Sequence, residues 1–312
     1  MWVSMRDLLL DSSVSLRFSG HETFPLRLLW LKKTYDAVTS GMTDKGTFQE
    51  QGAISRFGVG KNMAMAMRFW AVACGIVGET NGQLEGTELG HLLFSDRNGL
   101  DPYLEDPSTI WLVHNAICAT PDVATSFFYA FNVFAQPVFE RPDLVKELHE
   151  IAAARGARAT AETIKRDVEV VLRSYAPRTT ETGEDAAEPL LAELGLIREL
   201  RNGQFEFVRG PKPTLSSAVF TYALVQYWRR WHADAPTLSV ETIAYGVGAP
   251  GRVFRLDEES VAYRLATIGE MTGGALVWTD TAGLRQVARR EPLETIDVLK
   301  LLERGYRKRL AA

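Results

Sequence analysis

Gly75-Ile76-Val77-Gly78-Glu79-Thr80-Asn81-Gly82-Gln83-Leu84-Glu85 is the stretch whose reading decides the fold. Asn-Gly tolerates positive φ at both central positions of a two-residue turn, so Asn81-Gly82 between two short runs predicts a β-hairpin. Immediately before it, residues 60–77 place Met63, Met67, Trp70, Cys74 and Val77 at steps of four and three, which predicts an amphipathic helix. Lys61 and Arg68 fall together on another part of that helix and form a basic stripe. A helix closed by a short hairpin is the final part of a winged helix.

The same phrase returns about 120 residues later as Gly195-Leu196-Ile197 followed by Asn202-Gly203-Gln204-Phe205-Glu206, so the chain carries an internal repeat. In this second copy the helix is expected over 160–175, with Ile164, Val168, Val171 and Tyr175 inside and Lys165, Arg166 and Arg173 outside. A weaker third echo runs from Leu276-Val277-Trp278 through Asp280-Thr281-Ala282-Gly283 into Leu284-Arg285-Gln286-Val287. Near the N-terminus, residues 24–38 put Leu28, Leu31, Tyr35 and Val38 on one face, with Pro25 in the first turn and Lys32 and Lys33 exposed.

The expected fold is therefore mainly α, with winged-helix-like modules carrying short β-hairpin wings and a C-terminal mainly helical domain. Pro121 and the pair Pro211 and Pro213 mark the boundaries, giving domains at 1–119, 120–212 and 213–312. Within the second, the polar, acid-bearing stretch 178–187 reads as a loop.

Of the 312 residues, 46% are hydrophobic and 24% charged, a balance that places the chain among folded proteins. Two cysteines, Cys74 and Cys118, are too few for a disulfide framework and make no CxxC pair, so both are expected in the core as thiols. No secretory leader opens the chain, and its most apolar stretch, 123–135, is shorter than the roughly 20 residues of a membrane span. A cytoplasmic protein without a membrane partner is expected. The net charge of −4 excludes a protein that coats nucleic acid through a large positive field, yet leaves room for local basic surfaces.

Three motifs bear on chemistry. Phe57-Gly58-Val59-Gly60-Lys61-Asn62 approaches a P-loop, but Ser55 stands in place of its first glycine and Asn62 in place of its Ser or Thr. What remains is a glycine-rich entry to a helix, either a plain turn or a place where Gly60, Lys61 and Asn62 meet a DNA phosphate. Arg166 and Arg173 each follow a glutamate by four residues, which suits exposed ion pairs, whereas Lys165 has no such neighbour and is the better phosphate ligand.

Asp101, Glu105 and Asp106 bring three carboxylates into six residues, the kind of oxygen cluster that hard cations select; the alternative is that Asp106 or Ser108 caps a helix. In Ser19-Gly20-His21-Glu22-Thr23, His21 and Glu22 are candidates for acid, base or metal ligand, or for a loop satisfied by neighbouring carbonyls. No HExxH or GxSxG is present, so the residues by themselves stop short of a reaction.

Phe18-Ser19-Gly20-His21-Glu22-Thr23-Phe24-Pro25-Leu26-Arg27, then Gly58 to Met63 with Arg68-Phe69-Trp70, then Asp101-Pro102-Tyr103-Leu104-Glu105-Asp106, together resemble the bacterial SspB family of DNA phosphorothioation operons. The likeness extends to Pro250-Gly251-Arg252-Val253-Phe254-Arg255-Leu256 and Asp280-Thr281-Ala282-Gly283-Leu284. It implies a magnesium-dependent nickase that opens one DNA strand for sulfur insertion. The partners it implies are a cysteine desulfurase, an ATP pyrophosphatase-like sulfur-transfer protein and an ATPase.

No catalytic motif transfers from that family residue by residue, so the sites are chosen on physical grounds. His21, Glu22, Asp101, Glu105 and Asp106 are the catalytic candidates, with Asp101, Glu105 and Asp106 holding magnesium. Gly60, Lys61, Asn62, Arg68, Lys165 and Arg166 are the candidates for double-stranded DNA. Alternative readings are a non-catalytic DNA-recognition subunit and a winged-helix transcriptional regulator, the latter working as a homodimer on a palindrome.

Overall fold

In a computed structural model of the chain, the described residues are 5–49, 51–176, 189–281 and 283–310. The acidic loop expected at 178–187 lies outside them. The chain divides into two compact units, Met1–Val208 and Arg209–Ala312. The segments expected as domains 1–119 and 120–212 fall within the first, apart from residues 209–212, and 213–312 falls within the second.

Helices predominate in both units. The first contains α1 (Met5–Leu10), α2 (Trp30–Thr39), α3 (Gln51–Phe57), α4 (Lys61–Ala73), the hairpin β1 (Val77–Thr80) and β2 (Gln83–Gly86), α5 (Glu88–Phe94) and α6 (Pro107–Cys118). It continues with α7 (Thr125–Asn132), β3 (Val138–Glu140), α8 (Arg141–Ala154), α9 (Ala161–Tyr175), β4 (Ile197–Glu199) and β5 (Gln204–Phe207). The second unit contains α10 (Ser217–Trp231), β6 (Thr237–Ser239), α11 (Val240–Tyr245), α12 (Pro250–Val253), α13 (Glu258–Leu265) and α14 (Ile268–Met271). The hairpin β7 (Leu276–Thr281) and β8 (Leu284–Arg289), then α15 (Val298–Leu310), complete it.

Both Asn-Gly pairs lie at hairpin turns. Asn81 and Gly82 have φ of 52° and 80°, and Thr80 pairs with Gln83 across the turn. Asn202 and Gly203 have φ of 67° and 77° between the antiparallel strands β4 and β5. The third echo is a hairpin as well, with two six-residue strands.

A related order of elements recurs three times: a helix, an extended segment, further helices and a hairpin, with two α-helices before the hairpin in the first two sets and four, α11 to α14, in the third. In the first set the extended segment is a single bridge, Asp44 to Gln83, supported by Leu84 N donating to Thr43 O. In the others it is a three-residue strand, and the sheets run β3-β5-β4 and β6-β8-β7. Each time the leading segment pairs with the last strand of the hairpin.

Capping side chains set most helix starts. Thr160 accepts from Thr163 N at α9, Ser216 from Val219 N at α10, and Asp257 from Ser260 N at α13. The periodic residues of α9 are buried as expected, as are Met67, Trp70, Cys74 and Val77, while Met63 is half-buried; the helix expected over 60–77 ends at Ala73, and Val77 opens β1; Cys74 and Cys118 are buried thiols. In the second unit α15 lies so close to α10 that a Cβ on Gly305 would meet Ala218 Cβ at 2.3 Å.

The N-terminal helix departs from expectation. Leu29 adopts φ of 66° and starts α2 at Trp30, so Pro25 lies outside the helix and Leu28 is exposed. Lys32 is not a free surface cation: its ammonium is held by Asp36 at 2.6 Å and Asp96 at 2.7 Å. Among the described residues, no helix is long and apolar enough to cross a membrane.

Candidate nucleic-acid interface

Lys61 and Asn62 open α4 and are exposed. Gly60, the residue before them, offers no side chain to cap the helix, so the first-turn amides face outward beside a lysine. Lys165 and Arg166 are exposed on α9, and Arg166 forms the expected pair with Glu162 at 3.2 Å. Glu169, four residues before Arg173, accepts from Arg141 of α8.

Arg68 belongs to a larger cluster. Glu79 on β1 accepts from Arg68 Nη1 at 2.8 Å and from Lys45 Nζ at 2.9 Å, and its carboxyl is held below the ordinary value, first by the Lys45 bond. Arg17 lies over the Phe69 ring at 4.9 Å and feels the charges of both Arg68 and Glu79. Arg68 and Lys45 thus share one carboxylate near the turn of the hairpin, within the electrostatic reach of Arg17. Arg17 and Lys45 escaped the sequence reading because neither belongs to a periodic helix; proximity to the hairpin is created only by folding.

The loop 19–23 beside Phe69 is conformationally unusual. Ser19, Gly20, Glu22 and Thr23 all have positive φ, and a Cβ on Gly20 would stand 2.7 Å from Phe69 Cδ2. Three non-glycine residues in that region store strain, which persists only where the surroundings hold it. Asp167, buried in α9, is the holding group: it accepts from Ser19 N at 2.9 Å, His21 Nε2 at 3.1 Å and Ser126 Oγ at 3.0 Å.

His21 is buried, stacked on Trp70, and its Nδ1 accepts from Thr23 N at 3.2 Å. An acceptor Nδ1 places the proton on Nε2, which donates to Asp167. Both ring nitrogens are therefore engaged within the fold. Glu22 is half-buried in the same loop.

The carboxylates of 101–106 are also occupied. Asp101 is buried and accepts from Glu105 N at 2.8 Å, Asp106 N at 3.1 Å and the Thr109 hydroxyl. Burial raises its pKa, while those three donors oppose the rise. Asp106 caps α6 by accepting from Ser108 N at 2.8 Å, and Glu105 is exposed. Among the described residues, no three His, Cys, Asp or Glu side chains are placed together to hold a metal ion. Asp101, Glu105 and Asp106 thus do not assemble in this arrangement as the expected triad.

These features describe a mainly helical protein of repeated sheet-and-helix sets with a basic cluster against a strained loop. The chain belongs to the family described as "Protein of unknown function (DUF4007)", whose pattern it matches over residues 18–306. It is similar to a solved SspB structure, with a TM-score of 0.83 and 27% identity over 96% of this chain and 90% of that one. It is equally similar to a magnesium ion-bound SspB structure, at TM-score 0.82 and 27% identity over 96% and 91% of the two chains. The SspB-like character seen in the motifs thus extends through the fold. No curated protein matches the chain.

Proposed function

We propose that the protein binds double-stranded DNA as an SspB-like component of a bacterial phosphorothioation system and nicks one strand. The observation that carries the DNA reading is the threefold order of helix, extended segment, further helices and hairpin with a shared sheet arrangement. We read the first two sets as winged-helix-like, with α4 and α9 offered to a groove and the hairpins serving as wings. Gly60, Lys61, Asn62 and Arg68 on the first set, and Lys165 and Arg166 on the second, supply phosphate contacts. A net charge of −4 does not oppose this, since Arg17, Lys45 and Arg68 gather around one carboxylate.

The likeness to SspB also supports the sulfur-transfer partners: a cysteine desulfurase, an ATP pyrophosphatase-like protein and an ATPase. Magnesium enters from the same likeness, one of the two SspB structures being magnesium ion-bound. The residues do not fit a preformed magnesium site. Asp101 is filled by three donors, and Asp106 accepts from Ser108 N at the start of α6.

That filling favours a second reading, a DNA-recognition subunit without a hydrolytic centre of its own. Conversion of supercoiled plasmid to open circle with magnesium, and its loss in EDTA, separates the two. No conversion, alone or with the sulfur-transfer partners, removes the nickase reading.

DNA binding is tested by fluorescence anisotropy across a salt series. Lys61→Ala and Lys165→Ala are each expected to weaken binding for all sequences and flatten the log–log salt slope by about one. Unchanged affinity and slope in both variants overturn the role of α4 and α9.

A further inference from the structure

A cleft of about 200 Å³ opens in the second set, between the start of α8, the C-terminal half of α9 and the hairpin β4–β5. It lies between the helix and the wing offered above to the duplex. Glu162, Lys165, Arg166, Glu169 and Arg173 recur at helical spacing along one side of α9, so the side that carries Lys165 and Arg166 runs on into the cleft. Pockets for drug-sized ligands measure roughly 300–1,000 Å³, so this smaller volume suits one ring system and not a whole cofactor.

Its walls combine a ring, apolar surface and groups of both charges. Phe205 of β5 is half-buried, its ring centroid 6.0 Å from that of Phe139 in the neighbouring strand, and Pro142 and Leu172 add apolar surface. Glu199, opposite Phe205 in the register of β4 and β5, is exposed and brings a carboxylate to the cleft. Arg141 donates to Glu169, and the two side chains remain 40% and 27% exposed, so the pair is reachable from solvent. Glu140 is committed to the capping box of α8, where it accepts from Asp143 N.

This lining decides between ligands. Three carboxylates, Glu140, Glu169 and Glu199, against two guanidinium groups, Arg141 and Arg173, oppose a phosphate. A cationic side chain of a partner protein is opposed by the two guanidinium groups and by the engagement of Glu140 and Glu169 within the fold. What fits is a flat, uncharged group with donors and acceptors on its edge. We infer that the cleft receives a nucleobase swung out of the duplex, one that bears an exocyclic amino group. The base lies against Phe205, its amino group donates to Glu199, and a ring nitrogen or carbonyl oxygen accepts from Arg141. The assignment rests on the DNA reading given above and deepens it, since the second set then reads a base as well as holding phosphates.

Anisotropy with labelled duplexes of one length supplies the test. One duplex is fully paired, one has a cytosine opposite an abasic site, one has a thymine opposite an abasic site, and one has abasic sites on both strands. An unpaired base costs little to extract, so the cytosine duplex is expected to bind wild type about fivefold or more tighter than the doubly abasic one, which has no base to insert. Thymine, which lacks the amino group, is expected between the two. Phe205→Leu keeps apolar packing against Phe139 without the stacking ring and is expected to abolish the preference for a base. Glu199→Ala changes an exposed residue and is expected to bring cytosine down to the level of thymine.

Equal binding of the cytosine and doubly abasic duplexes by wild type overturns the assignment, as does a cytosine preference that survives both variants. Thymine bound as tightly as cytosine overturns the amino-group contact with Glu199. Phe205-dependent binding of a labelled tetra-arginine peptide, without any base preference, gives the cleft to a cationic side chain of a partner protein instead. Wild type that binds none of the duplexes at low salt sinks the DNA reading itself, a result distinct from wild type that binds the paired duplex and ignores the unpaired base.

Discussion

Asp167→Ala removes a carboxylate from the interior of the first unit and strands three donors: Ser19 N, His21 Nε2 and Ser126 Oγ. Each buried donor left without a partner costs about 1–3 kcal/mol. Ser19 is exposed and recovers a bond to water, and the Ser126 hydroxyl can rotate, so the sum lies near the lower bound. Eliminating the buried charge offsets a further part. A loss of about 2–3 kcal/mol results, which for a unit of this size lowers Tm by roughly 5–10 °C.

Asp167→Asn keeps one carbonyl oxygen for Ser19 and His21 and loses about 1–2 kcal/mol. The assay is thermal denaturation followed by circular dichroism, with His21→Ala and the double variant completing a cycle. Strong coupling between His21 and Asp167 is expected, since the two side chains share one hydrogen bond. A Tm for Asp167→Ala within about 2 °C of wild type refutes the claim that this network holds the strained loop.

Glu79→Gln releases Arg68 and Lys45 from their shared carboxylate, so DNA binding is expected to strengthen and its salt slope to steepen by up to about one. The Glu79 carboxyl is lowered from 4.5, so its stabilisation is present above that value and lost as pH falls through the lowered one; denaturation of Glu79→Gln against pH has a flatter acid limb. Gly20→Ala drives a Cβ onto Phe69 at a φ of 97° and is expected to lose about 1–3 kcal/mol in the same denaturation experiment. Asp101→Ala frees two loop amides and the Thr109 hydroxyl, so it lowers Tm; plasmid nicking at the wild-type rate by folded Asp101→Ala, Glu105→Ala and Asp106→Ala shows the cluster to be structural.

Local chemistry made part of this legible in the sequence. Asn81-Gly82 and Asn202-Gly203 announce their turns because few other residues accept positive φ twice in succession. The α9 helix is readable to within one residue because Thr160 caps it and four apolar positions recur at helical spacing. Strands β3 and β6, at three residues each, are too short for an alternating pattern, which hid the shared order of elements. The left-handed Leu29 has no compositional signal, and it displaced the start of α2. Asp167 looks like an ordinary solvated residue beside Arg166; its partner His21 is 146 positions away, a separation that no local pattern spans.

Helix α9 turns Lys165 and Arg166 outward and the next residue, Asp167, inward to the loop that packs on Phe69 and Trp70 of α4. Trp70 in turn meets Phe127 of α7 edge-on at 5.6 Å, so the two basic helices are joined through a packed aromatic core. Close-packed cores transmit displacement instead of absorbing it. A duplex contacting both helices then meets phosphate ligands at a fixed spacing. Two variants probe this from opposite sides: Lys165→Ala is expected to weaken DNA binding with Tm unchanged, since its side chain is exposed. Asp167→Ala touches no DNA-facing group, yet at a temperature where the variant remains folded it is expected to weaken binding through the displaced loop and Arg17. Full-strength binding by folded Asp167→Ala shows that the two helices engage DNA independently and that the core between them serves stability alone.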